Sequence, residues 1–452
     1  MSYIPNTEDD RKKMLEKIGV SGFQDLINII PESLRMKEKL KLPKGISELE
    51  LENLLKSISG ENRNLDNLIS FLGGGAYDHF IPSVVNHILL RSEYYTAYTP
   101  YQPEVSQGTL QSIYEYQSLI CQLTEMEVSN ASMYDGASAV AEAALLSIAE
   151  TGRNEILVSG SLNPNYYKVL CTYCERSGIK IRKMELKDGI TDLEPLDKKL
   201  SSKTAGFILQ SPNFFGLIEN VAEIEKKVHS AKALLIMVCD PISVAILKTP
   251  GEYGADIAVG EGQTLGNNLS FGGPFLGFFA CKKSLIRRMP GRIVGATLDS
   301  KGRRGFVLVL QTREQHIRRG KATSNICTNE ALCALAATVY LSLLGKNGLR
   351  KVAELCLQKS HYTAEQIAQI DGFRLKFQPP FFKEFVVETP IPASRVIKLL
   401  LKKNILAGID LSLFDRRLKN SLLVSVTEKR TKKEIDYLVE SLTELVKRGV
   451  NT

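Results

Sequence analysis

The sequence predicts an α/β protein with a parallel or mixed sheet covered by helices on both faces, followed by a separate, smaller α+β module. Three observations lead there. The middle third alternates short β-rich runs with helical stretches, the pattern of strands joined by crossover helices. At least one of those runs, Leu234 to Cys239, is continuously apolar, as a strand buried on both faces requires. After about Gly348 the order becomes strand, helix, strand, helix, which reads as an independent smaller module.

Along the chain, the first 60 residues are helical and polar, opened by the capping-box pattern Thr7-Glu-Asp-Asp10 ahead of Lys12 to Ile18. Residues 1–70 are expected to form a helical arm or cap, 71–345 a large α/β domain and 346–452 a small C-terminal α+β domain. Phe71 to Gln107 breaks the helical rhythm with Gly73-Gly74-Gly75 and then Tyr94 to Pro103, and is expected to be an ordered loop. Gln107 to Ala149 is helical again, divided at Ser129 to Ser138, where Asp135-Gly136 marks a turn into a helix N-terminus. Strands are expected at 155–158, 179–184, 205–210, 234–238, 257–259, 275–280 and 306–310, with helices at 165–177, 221–231 and 330–343. The small domain should hold strand 384–388, helix 394–403, strand 422–426 and a terminal helix opened by Thr431-Lys-Lys-Glu434.

Composition narrows the function. The chain has 452 residues, 44% of them hydrophobic, with 58 Lys+Arg against 50 Asp+Glu, a net charge of +8. That length supports two or three domains with cores of their own. The positive excess is spread along the chain, and its densest cluster, Arg313 to Lys321, includes Glu314 and His316, so nucleic-acid binding is not expected. No stretch approaches the roughly 18 to 20 consecutive apolar residues of a membrane span. Met1 to Lys13 lacks the apolar core of a signal peptide, and a cytosolic location is expected. The eight cysteines show no paired secretory spacing and read as reduced thiols. Cys171 and Cys174 form one CxxC on a helical stretch, with no second pair or nearby histidine to complete a zinc set. Five histidines, at 79, 87, 229, 316 and 361, show no metal-ligand spacing, so no metal is expected. His229 ends a charged helix and is expected to be exposed, while His79 lines a pocket or serves local hydrogen bonding.

Gly260-Glu-Gly262-Gln-Thr-Leu-Gly266 follows a strand, yet its third glycine is one position late for a dinucleotide fingerprint, and Asn267 to Pro274 cannot form the required helix. Its glycines are expected to permit close backbone approach. Asp240 ends the Leu234 to Cys239 run, at the carboxyl end of a central strand, where ligands of open sheets bind. There it either caps the turn before Ile242 or serves a ligand.

Longer motifs carry a resemblance. Tyr98-Thr-Pro-Tyr-Gln-Pro-Glu104 with Ser106-Gln-Gly108, Cys239-Asp-Pro241, Pro250-Gly-Glu-Tyr-Gly-Ala-Asp256 with Gly260 to Gln263, Ala322-Thr-Ser-Asn-Ile-Cys-Thr328 and the opening Tyr3 to Thr7 closely resemble the glycine decarboxylase P-protein family of the glycine cleavage system, over essentially the whole chain. The resemblance is to the branch that divides the enzyme between two chains, on the alpha side. It implies a fold-type I pyridoxal-phosphate architecture, with Asp240 in the place of the carboxylate that pairs with the pyridinium nitrogen. It implies glycine as substrate, decarboxylated with the cofactor as electron sink, and passage of the aminomethyl group to lipoamide on a transient partner, the H-protein. It also implies a beta subunit (subunit 2) as partner, with two copies of each chain.

One departure from that family's pattern concerns the cofactor lysine. From Thr249 through Cys281 there is no lysine, and Gln263 or Thr264 stands where the family has its aldehyde-binding lysine. Pyridoxal phosphate is therefore expected to be held covalently by the beta subunit and not by this chain, leaving Asp240 in a degenerate cofactor site. Lys248, Lys282 and Lys283 flank the segment from the wrong ends of their elements. No residue here is expected to be catalytic. The loop of Tyr98, Thr99, Tyr101 and Gln102 and the loop of Thr323, Ser324 and Asn325, with His79, are expected to line the shared active site or stitch the subunit interface. Arg313, Arg318, Arg319 and Lys321 either steer the acidic H-protein or form a solvated basic face. Two competing readings remain: a self-contained pyridoxal-phosphate enzyme using an unconventional lysine, and a structural or regulatory pseudoenzyme subunit.

Overall fold

Thr7 opens the first helix, Glu8–Ile18, with a reciprocal cap: its hydroxyl accepts from the Asp10 amide at 3.2 Å, and the Asp10 carboxylate accepts from the Thr7 amide at 2.9 Å. The computed structural model describes residues 5–447 apart from Lys37, Lys39 and Cys327; Tyr3, Ile4 and Cys327 of the family motifs lie outside the described residues. The chain divides into two units, Met1–Arg63 and Asn64–Thr452. The first carries Glu8–Ile18, Phe23–Leu26 and Glu48–Gly60, and no residue of these helices is buried.

The second unit is built on a seven-stranded sheet: β1 (Val128–Ser129), β2 (Glu155–Val158), β3 (Lys180–Lys183), β4 (Thr204–Gln210), β5 (Leu234–Val238), β6 (Ile257–Glu261) and β7 (Gly277–Cys281). Its spatial order is β1-β7-β6-β5-β4-β2-β3. Strands β2 to β6 run parallel; β7 is antiparallel to β6 and to β1. The sheet is therefore mixed and not wholly parallel. The physical reason lies in residues 262–276, which hold no helix to carry a crossover, so β7 can only return antiparallel.

Side-chain alternation divides the two faces. Ile236 and Val238 of β5 pack with Ile156, Val158, Ile208 and Val259 against helix Gly136–Thr151, while Leu235 and Met237 pack with Phe207 and Leu209 against helix Val221–Ser230. Cys239, Ala258, Phe278 and Ala280 meet helices Gln107–Thr124 and Ala331–Ala368. Gly260 of β6 is required by this packing: a Cβ there would lie 2.3 Å from the Cys239 carbonyl and 2.6 Å from the Phe278 ring.

Ala331–Ala368 is a pair of helices joined at Gly345, whose φ of 56° and ψ of −172° leave the helical region, so the first of the pair ends close to where the sequence places it. By length and hydropathy it could cross a membrane, but its first half is packed through Ala334, Ala337 and Leu341 into the sheet layer. Its second half passes through Ala364 and Ile367 into a four-stranded antiparallel sheet of β8 (Arg374–Leu375), β9 (Glu384–Glu388), β10 (Ile409–Asp410) and β11 (Ser421–Ser425), ordered β8-β9-β11-β10. Helices Ala393–Leu401 and Lys432–Lys447 cover that sheet, the latter opened by Thr431, whose hydroxyl and amide both donate to Glu434. Ile69–Ser70 runs parallel to Ile405–Leu406 beside it.

Candidate functional site

Three strands of the large sheet deliver side chains to one small cavity at their carboxyl ends: Gln210 closes β4, Asp240 follows β5 and Glu261 ends β6. Opposite them stand Lys383 and Glu384 at the start of β9 and Tyr77 from the glycine-rich loop. The cavity measures about 30 Å³. That is room for water and an order of magnitude below the roughly 300 Å³ at which ligand pockets begin.

Asp240 divides its oxygens between the two roles considered for it. Oδ1 accepts from the Ile242 amide at 2.8 Å, capping the turn, while Oδ2 meets the Lys383 ammonium at 2.6 Å. Against burial, which would raise it, the Lys383 charge holds the Asp240 carboxyl below its ordinary value. Lys383 has a side chain only 2% exposed. Its ammonium lies 3.6 Å from the Tyr77 ring centre and donates to His79 Nε2 at 3.1 Å. This assigns the His79 proton to Nδ1, which donates to Glu428 at 2.6 Å. Glu428 also accepts from the Phe80 amide at 2.7 Å; burial opposes its charge, yet the hydrogen bond from His79 brings it down to about 2.

A second set of bonds closes the rest of the cavity. Glu384 accepts from the Gly74 amide and the Tyr77 hydroxyl, each at 2.7 Å, and burial pushes its carboxyl up to about 7. Glu261 accepts from the amides of Gly136 (2.9 Å), Leu276 (2.9 Å) and Gln263 (3.0 Å), and burial pushes it, too, up to about 7. Gly136 is the first residue of helix Gly136–Thr151, capped by Asp135 as the sequence indicates, so a carboxylate already occupies the helix N-terminus, the natural seat of an anion. Gln263 is locked in place: its amide accepts from the Tyr77 amide at 2.9 Å and donates to the Tyr77 carbonyl at 3.2 Å and the Asn267 carbonyl at 2.7 Å. Thr264 Oγ1, buried on the cavity wall, has no hydrogen-bond partner among the described residues.

His79, Asp240, Gln263 and Thr264 thus surround one centre, and the Tyr98 loop belongs to another. Tyr98, Thr99 and Pro100 line a separate cavity of about 280 Å³ with Tyr94, Thr328 and Leu335. Buried Arg292 secures this loop, donating to Tyr101 Oη at 2.9 Å and Thr99 Oγ1 at 3.4 Å, with Glu314 at 3.8 Å. Tyr98 points outward, 82% exposed, and Gln102 is exposed beside it. In the other loop Thr323 and Ser324 are half-buried and Asn325 is exposed. Ser324 Oγ accepts from the Ile326 amide at 3.1 Å and bonds buried Glu142.

Two surface expectations are corrected. Arg313 is buried, donating to the carbonyls of Met289, Leu310 and Gly291, so it cannot join Arg318, Arg319 and Lys321 on a basic face. His229 is half-buried, its ring nitrogens bonded to Glu225 at 2.6 Å and Asp256 at 2.8 Å, because the helix end packs on the strand that Asp256 precedes. Lys282 also pairs with Asp256, at 2.6 Å, and so does not turn towards Asp240. The fold brings together His79, Cys356 and Glu428, three metal-ligand types that sequence spacing keeps apart. Both His79 nitrogens are taken, one by an ammonium, and burial pushes the Cys356 thiol up, so the group is a hydrogen-bonded chain. Sequence reasoning missed Lys383, Glu384, Glu428, Tyr77 and Arg292. A signal existed for the first two: an adjacent Lys-Glu pair inside the apolar run Phe381 to Val387.

Comparison with known proteins agrees with this architecture. The family model described as glycine cleavage system P-protein matches residues 1–442. A probable glycine dehydrogenase (decarboxylating) subunit 1 of Chloroherpeton thalassium is 54% identical over 98% of this chain and 100% of its own length. A protein of the same name from Chlorobium phaeobacteroides is 55% identical over 98% of this chain and 99% of its own. Among solved structures, a glycine decarboxylase (P-protein) of the glycine cleavage system in inhibitor-bound form superposes with a TM-score of 0.91 at 40% identity, covering 98% of this chain and all of that one. A sphingosine-1-phosphate lyase of Burkholderia pseudomallei shares the fold alone, with a TM-score of 0.67 at 14% identity over 92% of this chain and 94% of its own.

Proposed function

Because this chain belongs to the glycine cleavage system P-protein family, we propose that it is the alpha subunit of a two-chain glycine dehydrogenase (decarboxylating), acting in the cytoplasm. Glycine is decarboxylated with pyridoxal phosphate on the beta subunit, and the aminomethyl group passes to the lipoamide of the H-protein. The assembly holds two alpha and two beta chains. One observation carries the division of labour: of the two residues that could stand in the lysine's place, Gln263 is tied by three hydrogen bonds to Tyr77 and Asn267, and neither it nor Thr264 offers an amine.

The cavity at Asp240 does not fit pyridoxal phosphate. Its volume is about 30 Å³, and the carboxylate that would face the ring nitrogen already holds Lys383 at 2.6 Å. No step of the reaction is assigned to it. This chain's contribution is the Tyr98 to Gln102 loop, which Arg292 fixes from behind so that Tyr98 and Gln102 project outward at low entropic cost. These side chains, with Thr323, Ser324 and Asn325, help close the partner's active site, where water must be excluded while carbanion character develops.

The test is exchange of labelled carbon dioxide into the glycine carboxyl in the presence of H-protein. Activity should require both chains, and full activity from this chain alone would overturn the proposal.

A further inference from the structure

We propose that the cavity at Asp240 is a cofactor pocket closed from within: the Lys383 ammonium takes the pyridinium's place on Asp240, the Glu261 carboxylate takes the phosphate's place at the N-terminus of helix Gly136–Thr151, and the chain binds no pyridoxal phosphate. The cofactor offers a protein two poles, a ring nitrogen that seeks a carboxylate and a phosphate that seeks a helix N-terminus and its amides. Both seats line this cavity, and both are filled by the chain's own side chains. The Asp240 Oδ2 to Lys383 Nζ contact is 2.6 Å, and Glu261 Oε2 takes the Gly136 amide at 2.9 Å while Oε1 takes those of Leu276 and Gln263.

The space between the poles is also used. The Tyr77 ring lies 3.6 Å from the Lys383 ammonium, where a flat aromatic ligand would need room, and about 30 Å³ remains. Burial makes the exchange unfavourable to reverse. To enter, a cofactor must separate Lys383 from Asp240 and leave a side chain that is 2% exposed without a counter-charge. Lys383 comes from the start of β9 and Asp240 from the end of β5, so the contact also joins the small sheet to the large one.

The proposal depends on the family reading only for the identity of the excluded ligand. Its test measures cofactor on this chain without turnover, so failure of the activity reading leaves a distinct result. The purified full chain is titrated with pyridoxal phosphate, followed by absorbance, equilibrium dialysis and peptide mapping after borohydride. No saturable binding and an unchanged Tm are expected; stoichiometric saturable binding would overturn the proposal.

The variant carrying Glu261→Ala and Lys383→Ala removes both internal ligands, and should bind the cofactor non-covalently at least tenfold more tightly than the wild type. Affinity no better than wild type also overturns the proposal. If that variant fails to fold, the decision falls to a thermal double-mutant cycle of Asp240→Asn and Lys383→Met. The double variant is expected to melt above either single one, because each single change strands one buried charge. Additive losses in Tm would overturn the pairing.

Discussion

Replacing Glu384 by Gln should destabilise the protein at pH 5 and stabilise it at pH 8. Both carboxylate oxygens are engaged, with the Gly74 amide and the Tyr77 hydroxyl, and burial raises the carboxyl from an ordinary 4.5 to about 7. An acid raised in the folded state holds its proton there while the unfolded chain has already lost its own, so stability falls as pH rises from 4.5 to 7. A shift of roughly 2.5 units corresponds to about 3 kcal/mol of cost, complete above pH 7 and absent well below pH 4.5. Glutamine abolishes that cost. Its amide can still accept from Gly74 but must reverse the bond with Tyr77, a penalty on the order of 1 kcal/mol at any pH. The balance is a gain of about 2 kcal/mol at pH 8 and a small deficit of about 0.2 kcal/mol at pH 5, where about 0.8 kcal/mol of the linkage cost remains. Urea denaturation of both chains at the two pH values measures it directly. A substitution effect that is equal at pH 5 and pH 8 would refute the reasoning, because it would mean that Glu384 does not titrate between them.

Glu428 should behave in the opposite sense: lowered to about 2 by His79, its contribution of about 3 kcal/mol is present above pH 4.5 and lost as pH falls towards 2. Acid titration of stability should therefore show a limb in the wild type that is missing in Glu428→Gln. Gly260→Ala, whose Cβ would meet the Cys239 carbonyl at 2.3 Å, should force β5 and β6 apart and cost about 3 kcal/mol, read as a lower Tm. Tyr98→Phe combined with Gln102→Ala should leave Tm unchanged, since both side chains are exposed, yet reduce kcat/KM of the two-chain enzyme about 10-fold, or about 1.4 kcal/mol. Unchanged turnover would return the loop to a purely interfacial role.

Local features of this fold are written locally. Thr7 with Asp10, Asp135 before Gly136 and Thr431 with Glu434 each announce a helix start within four residues, and each forms the expected cap. The Leu234 to Cys239 run identifies the central strand, and its end places Asp240 at the cavity. The lysine's absence from 249–281, with Gln263 or Thr264 in its place, is legible by inspection; the ammonium that meets Asp240 is not. Lys383 lies in another domain-scale element, and only the docking of β9 beside β5 brings it to Asp240, a pairing without sequence periodicity. The direction of β7 is also a tertiary outcome. Past the break at Gly345 the chain turns helical again, with Leu349, Ala353 and Cys356 entering a core.

The three hydrogen bonds of Gln263 set the local structure against a lysine at this position. Restoring lysine at position 263 would strip the Tyr77 amide and carbonyl and the Asn267 carbonyl of their side-chain partner, and would add a second ammonium beside a ring that already carries Lys383. The Gln263 backbone amide also donates to Glu261, and Tyr77 carries Lys383 over its ring, so a change at any one of these positions disturbs the contacts of its neighbours.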